Sequence, residues 1–320
     1  MTIYDVFNGD ADGICALLQL RQIEPKASVL VSGVKRDIHL LTKVMPSSGD
    51  HVNVLDISLD KNRADLERIL DQGASVFYVD HHYAGAIPEH DQLSTVINLS
   101  PEVSTSALIN GYLKGKRAGW AVVGCYGDNL SGTAEKIAAT LDDVTDLARW
   151  QQLGVLMNYN GYGATVEDLH FSPVDLYLRL LPYDSPQDCL INDPDLIDTL
   201  AAAYDDDMRW AEIAPRLVED DVLSVVEFPD APWARRVSGV FVNQLANQAP
   251  DRAHAVLTEI PTGYLVSVRA PLNARQGADA LCRQFPTGGG RAAAAGINEL
   301  AARQVDDFID AMRLQFSNRC

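Results

Sequence analysis

A chain of 320 residues is long enough for two domains, and its 47% hydrophobic and 22% charged residues are ordinary for a globular protein. The net charge of −18 opposes binding to long nucleic acid, which favours a basic stripe that displaces condensed counterions. No apolar run reaches the ~18 residues of a membrane span, and the start MTIYDVFNGD lacks the basic and apolar regions of a secretion signal, so a cytoplasmic location is expected.

The first half alternates strand and helix patterns. Thr2–Phe7 predicts a strand, and Ala11–Gln22 a helix with Ile14, Leu17 and Leu18 at helical spacing. Ser28–Ser32 and Val52–Leu55 predict strands, Asp60–Gln72 a helix with Leu66, Ile69 and Leu70 on one face, and Ser75–Val79 and Thr95–Leu99 β-branched strands. Val103–Leu113 predicts a helix, and the apolar run Ala121–Tyr126 a further buried strand. This alternation predicts an α/β fold with a doubly wound, mostly parallel sheet.

Thr133–Leu181 reads as mainly helical, and Pro182–Pro186 as a break. Asp193–Val218 predicts a long connecting helix, with Asp205, Asp206 and Asp207 as a solvated face. A second, smaller alternating region follows: strands at Val222–Glu227, His254–Ile260 and Tyr264–Val268, helices at Gln276–Gln284 and Glu299–Leu314. The expected division is 1–185, a helical linker 186–219, and 220–320. The five cysteines are scattered and form no CxxC pair, so they are expected to be reduced core residues.

Chemistry-bearing residues recur where predicted strands end. Asn8-Gly9-Asp10-Ala11-Asp12-Gly13, Asp56, Asp80-His81-His82 and Asp128 each follow an apolar run. Parallel strands end along one edge, so these side chains can meet in one crevice. Each has a plainer reading: an N-cap and turn for Asp10 and Asp12, a turn or cap for Asp56, a solvated turn for the histidines, a Gly-Asp-Asn turn for Asp128. Together they predict a hard divalent cation, because converging carboxylates repel one another without one. An added imidazole favours Mn²⁺, with Mg²⁺ or Co²⁺ as substitutes. His39, His51, His90 and His254 read as solvated or capping, and His170 carries no assignment. Asn158–Gly163 reads as a turn, or as a loop whose aromatics stack on a base. Gly288, Gly289, Gly290 and Arg291 predict a nest of backbone N–H groups with a bidentate phosphate donor, the alternative being a flexible hairpin. Arg269, after a predicted strand, is a second substrate-binding candidate, or a surface cation.

In order and spacing these residues resemble the four motifs of the DHH phosphoesterase superfamily, and Gly288–Arg291 with Ala294-Ala295-Gly296 resembles the glycine-rich motif of its DHHA1 companion domain. The resemblance covers nearly the whole chain. It implies a DHH metal-binding catalytic domain, a DHHA1-like substrate-binding domain, and an active site in the cleft between them. It further implies two manganese ions: one on Asp10 and Asp56, the other on Asp12, Asp56, His81 and Asp128, with Asp56 bridging and catalytic. His82 would contact the scissile phosphate; Arg291 and the glycines would hold a distal part of the substrate. The chain departs from the pattern in its first and last motifs. Val6 stands where many members carry histidine. Asn8 stands where RecJ-like members carry aspartate, and offers the first metal only a neutral carbonyl oxygen. Arg291 replaces the histidine of a common Gly-Gly-Gly-His.

The expected function is therefore a Mn²⁺-dependent phosphodiesterase that hydrolyses short nucleotides with metal-activated water. Its substrates would be linear dinucleotides such as pGpG, very short RNA or cyclic dinucleotides, with no long duplex and no membrane as partner. The alternatives are a phosphatase of nucleotide bisphosphates such as 3′,5′-adenosine bisphosphate, an exopolyphosphatase, and a non-catalytic nucleotide sensor. No interface stripe marks an oligomeric state.

Overall fold

The computed structural model describes residues 1–142 and 144–317, in two compact units, Met1–Ala203 and Tyr204–Cys320. The first is built on five parallel strands: β1 (Ile3–Phe7), β2 (Val29–Val31), β3 (His51–Leu55), β4 (Ser75–Asp80) and β5 (Leu93–Ile97), in the order β2-β1-β3-β4-β5. Helices α1 (Ala11–Ile23) and α2 (Leu59–Asp71) lie on opposite faces. Leu66, Ile69 and Leu70 of α2 bury against Val6, Val54, Val76 and Tyr78. The alternate residue Asp5 points the other way and receives Arg21 of α1 through its Nε at 2.6 Å. A period-2 strand buried on both faces demands this sandwich, so the chain is doubly wound. The strand order reverses between β1 and β3. Ligands of open α/β sheets bind at that switch point, beyond the strands' carboxyl ends.

The unit continues with α3 (Thr105–Tyr112), α4 (Ala118–Gly127), α5 (Ser131–Ala138), α6 (Leu147–Asn160), α7 (Pro173–Leu180), α8 (Pro186–Asn192) and α9 (Pro194–Glu212), the last crossing into the second unit. Ala121–Tyr126, expected as a strand, belongs to α4. All of Trp120–Gly127 is buried, so no polar face interrupts the run, and a short apolar stretch without contrast looks the same in either state. Among the described residues no helix is long and apolar enough to cross a membrane. Cys15, Cys125, Cys189 and Cys282 are buried free thiols, and Cys320 lies outside the described residues.

The second unit is a mixed six-stranded sheet in the order β10-β11-β9-β8-β7-β6, from β6 (Arg216–Glu219), β7 (Leu223–Phe228), β8 (Ala253–Ile260), β9 (Gly263–Arg269), β10 (Gly288–Gly290) and β11 (Ala294–Leu300). Only β7 and β8 pair in parallel, joined by a crossover helix α10 (Pro232–Gln248) that the sequence reading did not anticipate. Helices α11 (Ala278–Cys282) and α12 (Val305–Ser317) close the core around Val266, Leu281, Ile297, Phe308 and Met312. The expected helix Glu299–Leu314 is thus the end of β11 followed by α12, and the tail of the expected helix Asp193–Val218 is β6. Asp205 and Asp206 are exposed, but Asp207 is not part of a solvated face. It is buried and paired with Arg236 of α10 at 2.7 and 2.9 Å. His254 is also buried, its Nε2–H donating to the Ala249 carbonyl just past α10 at 3.0 Å.

Candidate metal centre

Asp10 closes the turn after β1 and N-caps α1, its Oδ1 accepting from the N–H of Asp12 and of Gly13 at 3.1 Å each. Asn8 supports that turn: its Oδ1 accepts the Asp10 N–H at 3.3 Å, and its Nδ2 donates to the Lys35 carbonyl at 3.4 Å. In the first turn of α1, Asp12 faces the start of α3. Its two oxygens accept the N–H groups of Ser106 at 2.8 Å and Thr105 at 2.7 Å. That carboxylate thereby meets the positive end of the α3 dipole.

Asp56 follows β3 with φ of 60°, a left-handed conformation that aspartate tolerates better than most residues. This turn brings its carboxylate back over the sheet edge, where Oδ1 accepts from Thr105 Oγ1 at 3.1 Å. Asp80, His81 and His82 follow at the end of β4. The His81 Nδ1–H donates to the Val103 carbonyl at 2.8 Å. In the neutral ring Nε2 therefore presents a lone pair. That lone pair lies 3.4 Å from Asp56 Oδ1, 3.4 Å from Asp128 Oδ2 and 4.0 Å from Asp12 Oδ2. The ligand atoms of Asp12, His81 and Asp128 all lie within 4.8 Å of one another, as do those of Asp56, His81 and His82. A lone pair aimed into three carboxylates is repulsive by itself and favourable around a cation, so the donor set fits a divalent metal.

The electrostatics agree. Burial, then the charges of Asp10, Asp12, Asp128 and Asp80, hold the Asp56 carboxyl well above the usual carboxylate range. Burial, with Asp12 and Asp10, also raises Asp128. Asp10 behaves differently. Its burial is outweighed by Lys35, whose Nζ stands 2.6 Å from Asp10 Oδ2, and its carboxyl falls below the usual range. Lys35 also reaches Asn158 Oδ1 at 2.9 Å and Asp128 Oδ1 at 3.4 Å. His82 donates through Nδ1 to Asp80 Oδ1 at 2.7 Å, and this hydrogen bond raises its pKa against the effect of burial.

The structure brings Asn8, Asp10, Asp12, Asp56, His81, His82 and Asp128 together. A cavity of about 420 Å³ opens on most of this cluster, with Lys35, Lys61 and Tyr83 also on its walls. Tyr159, offered as a stacking residue, is buried, so only Tyr162 of that segment is available, beside Lys35 at 5.6 Å. The remaining candidates lie in the second unit. Gly288–Gly290 form the edge strand β10 rather than an open nest, since β11 pairs with them residue by residue. Arg291 is exposed in the turn that follows, and Arg269 stands opposite Ala294 at the same end of that sheet. Arg269 Nε donates to Asn243 Oδ1 at 2.6 Å. Lys35, Thr105 and Ser106 escaped the sequence reading. The available signal for Lys35 was its place just beyond β2, the strand beside β1.

No protein-family model and no curated protein matches the chain. Solved structures do share its fold. RecJ exonuclease bound to manganese aligns over the whole chain and 91% of its own length, at 15% identity and a TM-score of 0.62. RecJ of Thermus thermophilus with Mn²⁺ gives 17% and 0.64, and here the chain spans only 52% of the other protein. A pGpG-specific phosphodiesterase of Vibrio cholerae gives 16% and 0.58, over 98% of both chains. The chain shares the fold of RecJ and of the pGpG-specific phosphodiesterase. Within this fold Asp10, Asp56 and the doublet His81-His82 follow the ends of β1, β3 and β4, around the switch point where the topology by itself places a ligand site, and Asp128 joins them from the end of α4.

Proposed function

We propose that this chain is a divalent-metal-dependent phosphoesterase acting on short nucleotides. The observation that carries this reading is the lone pair of His81 Nε2, fixed by the Val103 carbonyl and facing Asp12, Asp56 and Asp128. A cation bound by these four residues would supply Lewis acidity, polarising a phosphoryl oxygen and lowering the pKa of the attacking water. Mn²⁺ suits a set of three carboxylates and one imidazole. Asp80 orients His82, leaving its Nε2 to face a phosphoryl oxygen in the cavity. Water adds to phosphorus and releases one proton to solvent, the ester P–O bond breaks, and the protonated His82 gives its proton to the leaving oxygen, to be reprotonated from solvent before the next turnover.

The cavity size supports a small ligand, since about 420 Å³ lies in the range of small-molecule sites. Tyr83 on its wall is 70% exposed and supplies a ring face for one base, and Lys61 supplies a cation for a second phosphate. An aromatic at the wall favours nucleotides over polyphosphate. The fold shared with a pGpG-specific phosphodiesterase over almost the full length of both chains points the same way. We further propose that Arg269, Gly288, Gly289, Gly290 and Arg291 bind the distal part of the substrate.

The test is a turnover panel with Mn²⁺: pGpG, RNA of two to five nucleotides, 3′,5′-adenosine bisphosphate, a cyclic dinucleotide and polyphosphate. Asp56→Asn is the control. Turnover of di- or short oligonucleotides that falls by about 10²- to 10³-fold in the variant is the expected result, on the scale of removing one member of a preorganised polar centre. Preference for the bisphosphate or polyphosphate would make the protein a phosphatase. Tight nucleotide binding without turnover of any member would make it a sensor.

A further inference from the structure

We infer that the ammonium of Lys35 takes the place of one metal ion, so that the centre holds a single divalent cation on Asp12, Asp56, His81 and Asp128. This rests on the metal-dependent reading above and gives it a stoichiometry.

The argument starts with what Asp10 has left to offer. Its Oδ1 accepts the N–H groups of Asp12 and Gly13, and its Oδ2 is paired with the Lys35 ammonium at 2.6 Å. Asp12 and Asp56 accept only neutral N–H and O–H donors and keep their charge for a cation, whereas that of Asp10 is already neutralised. Asn8 is equally committed, its carbonyl oxygen to the Asp10 N–H and its amide nitrogen to the Lys35 carbonyl. The two side chains best placed to hold a cation beside Asp56 at the end of β1 are therefore bound into a turn and an ion pair.

Lys35 is itself held as a bound cation would be. An ammonium has three N–H donors, and three oxygens surround it: Asp10 Oδ2 at 2.6 Å, Asn158 Oδ1 at 2.9 Å and Asp128 Oδ1 at 3.4 Å. Its main chain is fixed too, the Lys35 N–H donating to the Gly161 carbonyl at 2.8 Å. The Tyr162 ring lies 5.6 Å from Nζ on another side. The side chain is 24% exposed, so water screens the charge only in part.

Asp128 divides its two oxygens between the two positions. Oδ1 faces Lys35, and Oδ2 faces His81 Nε2 at 3.4 Å. One carboxylate thus lies between a fixed monovalent charge and the cluster of Asp12, Asp56 and His81. A second dication on Asp10 would have to displace or crowd the ammonium. The neutral Asn8, where an acid would attract such a dication, removes the reason for one to do so.

The experiment is metal counting with electron paramagnetic resonance. The full chain is loaded with Mn²⁺, desalted, and its manganese measured per chain. We expect one equivalent and the six-line spectrum of an isolated ion. Asn8→Asp alone should stay at one equivalent, because Lys35 remains. Asn8→Asp combined with Lys35→Met should take up a second equivalent and show an exchange-coupled spectrum. Two coupled ions in the unaltered chain would overturn the inference while leaving the metal-dependent reading intact. So would a second ion in Asn8→Asp alone, or no second ion in a folded double variant. No manganese in the unaltered chain would sink both the inference and the reading beneath it. Should the double variant fail to fold, the count and spectrum of the unaltered chain decide.

Discussion

Asp80 shows how one buried residue can act through its neighbour. It is fully buried at the end of β4, with Oδ1 on His82 Nδ1 and Oδ2 without a hydrogen-bond partner. A buried half-satisfied carboxylate is expensive, and its retention is explained by what it does for the adjacent ring. It fixes the imidazole and favours its charged form, so that Nε2–H is a donor toward the cavity. Asp80→Asn keeps the shape and removes the charge. Turnover should fall by about 10- to 100-fold, the usual effect of losing such a support. Mn²⁺ affinity measured by titration should change little, because His82 commits its Nδ1 to Asp80 and stands 3.9 Å from Asp56, whereas His81 Nε2 faces Asp12, Asp56 and Asp128 together. A parallel collapse of metal binding would show that Asp80 supports the metal instead.

At the level of elements, the site depends on close helix crossings as much as on strand ends. Gly127 lies where α4 crosses α1, and a Cβ built there falls 2.3 Å from the Ala11 Cβ and 3.0 Å from the Gly154 carbonyl oxygen. Gly127→Ala should therefore destabilise the protein by about 1–3 kcal/mol, the range for overpacking, despite alanine's better helix propensity. It should also weaken Mn²⁺ binding, since Asp128 is the next residue and α1 carries Asp12. Thermal melting with metal titration checks both effects, and an unchanged melting temperature would mean that the crossing gives way freely. In the second unit the turn between β6 and β7 is tied to α12 through Asp220. Its carboxylate accepts the N–H groups of Leu223 and Val222 and the Arg313 guanidinium, which together lower it to about 2. The folded carboxyl lies below its unfolded value, so the stabilisation is full above the ordinary carboxylate range and is lost as pH falls through about 2. Both partners are more than a third exposed, so about 1 kcal/mol or less is expected after screening. The melting difference between the protein and Asp220→Asn should be present at neutral pH and close as the pH approaches 2; a constant gap would rule this out. These elements also show what the chain alone could disclose. β1, β3 and β4 were legible because each pairs an apolar run with an abrupt polar end, and the parallel edge then collects those ends. The helical state of Ala121–Tyr126 was not, because burial on every side erases the period that separates helix from strand. Lys35 was not legible either. It reads as a surface lysine until Asn158 and Tyr162, more than a hundred residues later, enclose it.

For the molecule as a whole, charge sets what can approach. With 44 acidic against 26 basic side chains, the net charge of −18 repels any polyanion at a distance. The attraction that holds a phosphate is confined to the cavity. These two fields differ in reach. The repulsion extends over the Debye length, about 30 Å at 0.01 M salt and about 8 Å at 0.15 M, while contacts inside the cavity are screened far less. Added salt should therefore remove the obstacle and leave the grip. With Mn²⁺ saturating, kcat/KM for a dinucleotide should rise as salt increases from about 0.01 to 0.15 M, opposite in sign to a protein that releases counterions from a strand. The repulsion grows with each added phosphate, so the preference for a dinucleotide over a strand of about 20 nucleotides should be steepest at low salt. Steady-state rates for both lengths across that salt range measure this directly. If kcat/KM for the long strand were the higher one and fell steeply with salt, the protein would carry a basic track strong enough to overcome its own charge, and short nucleotides would not be its main substrates.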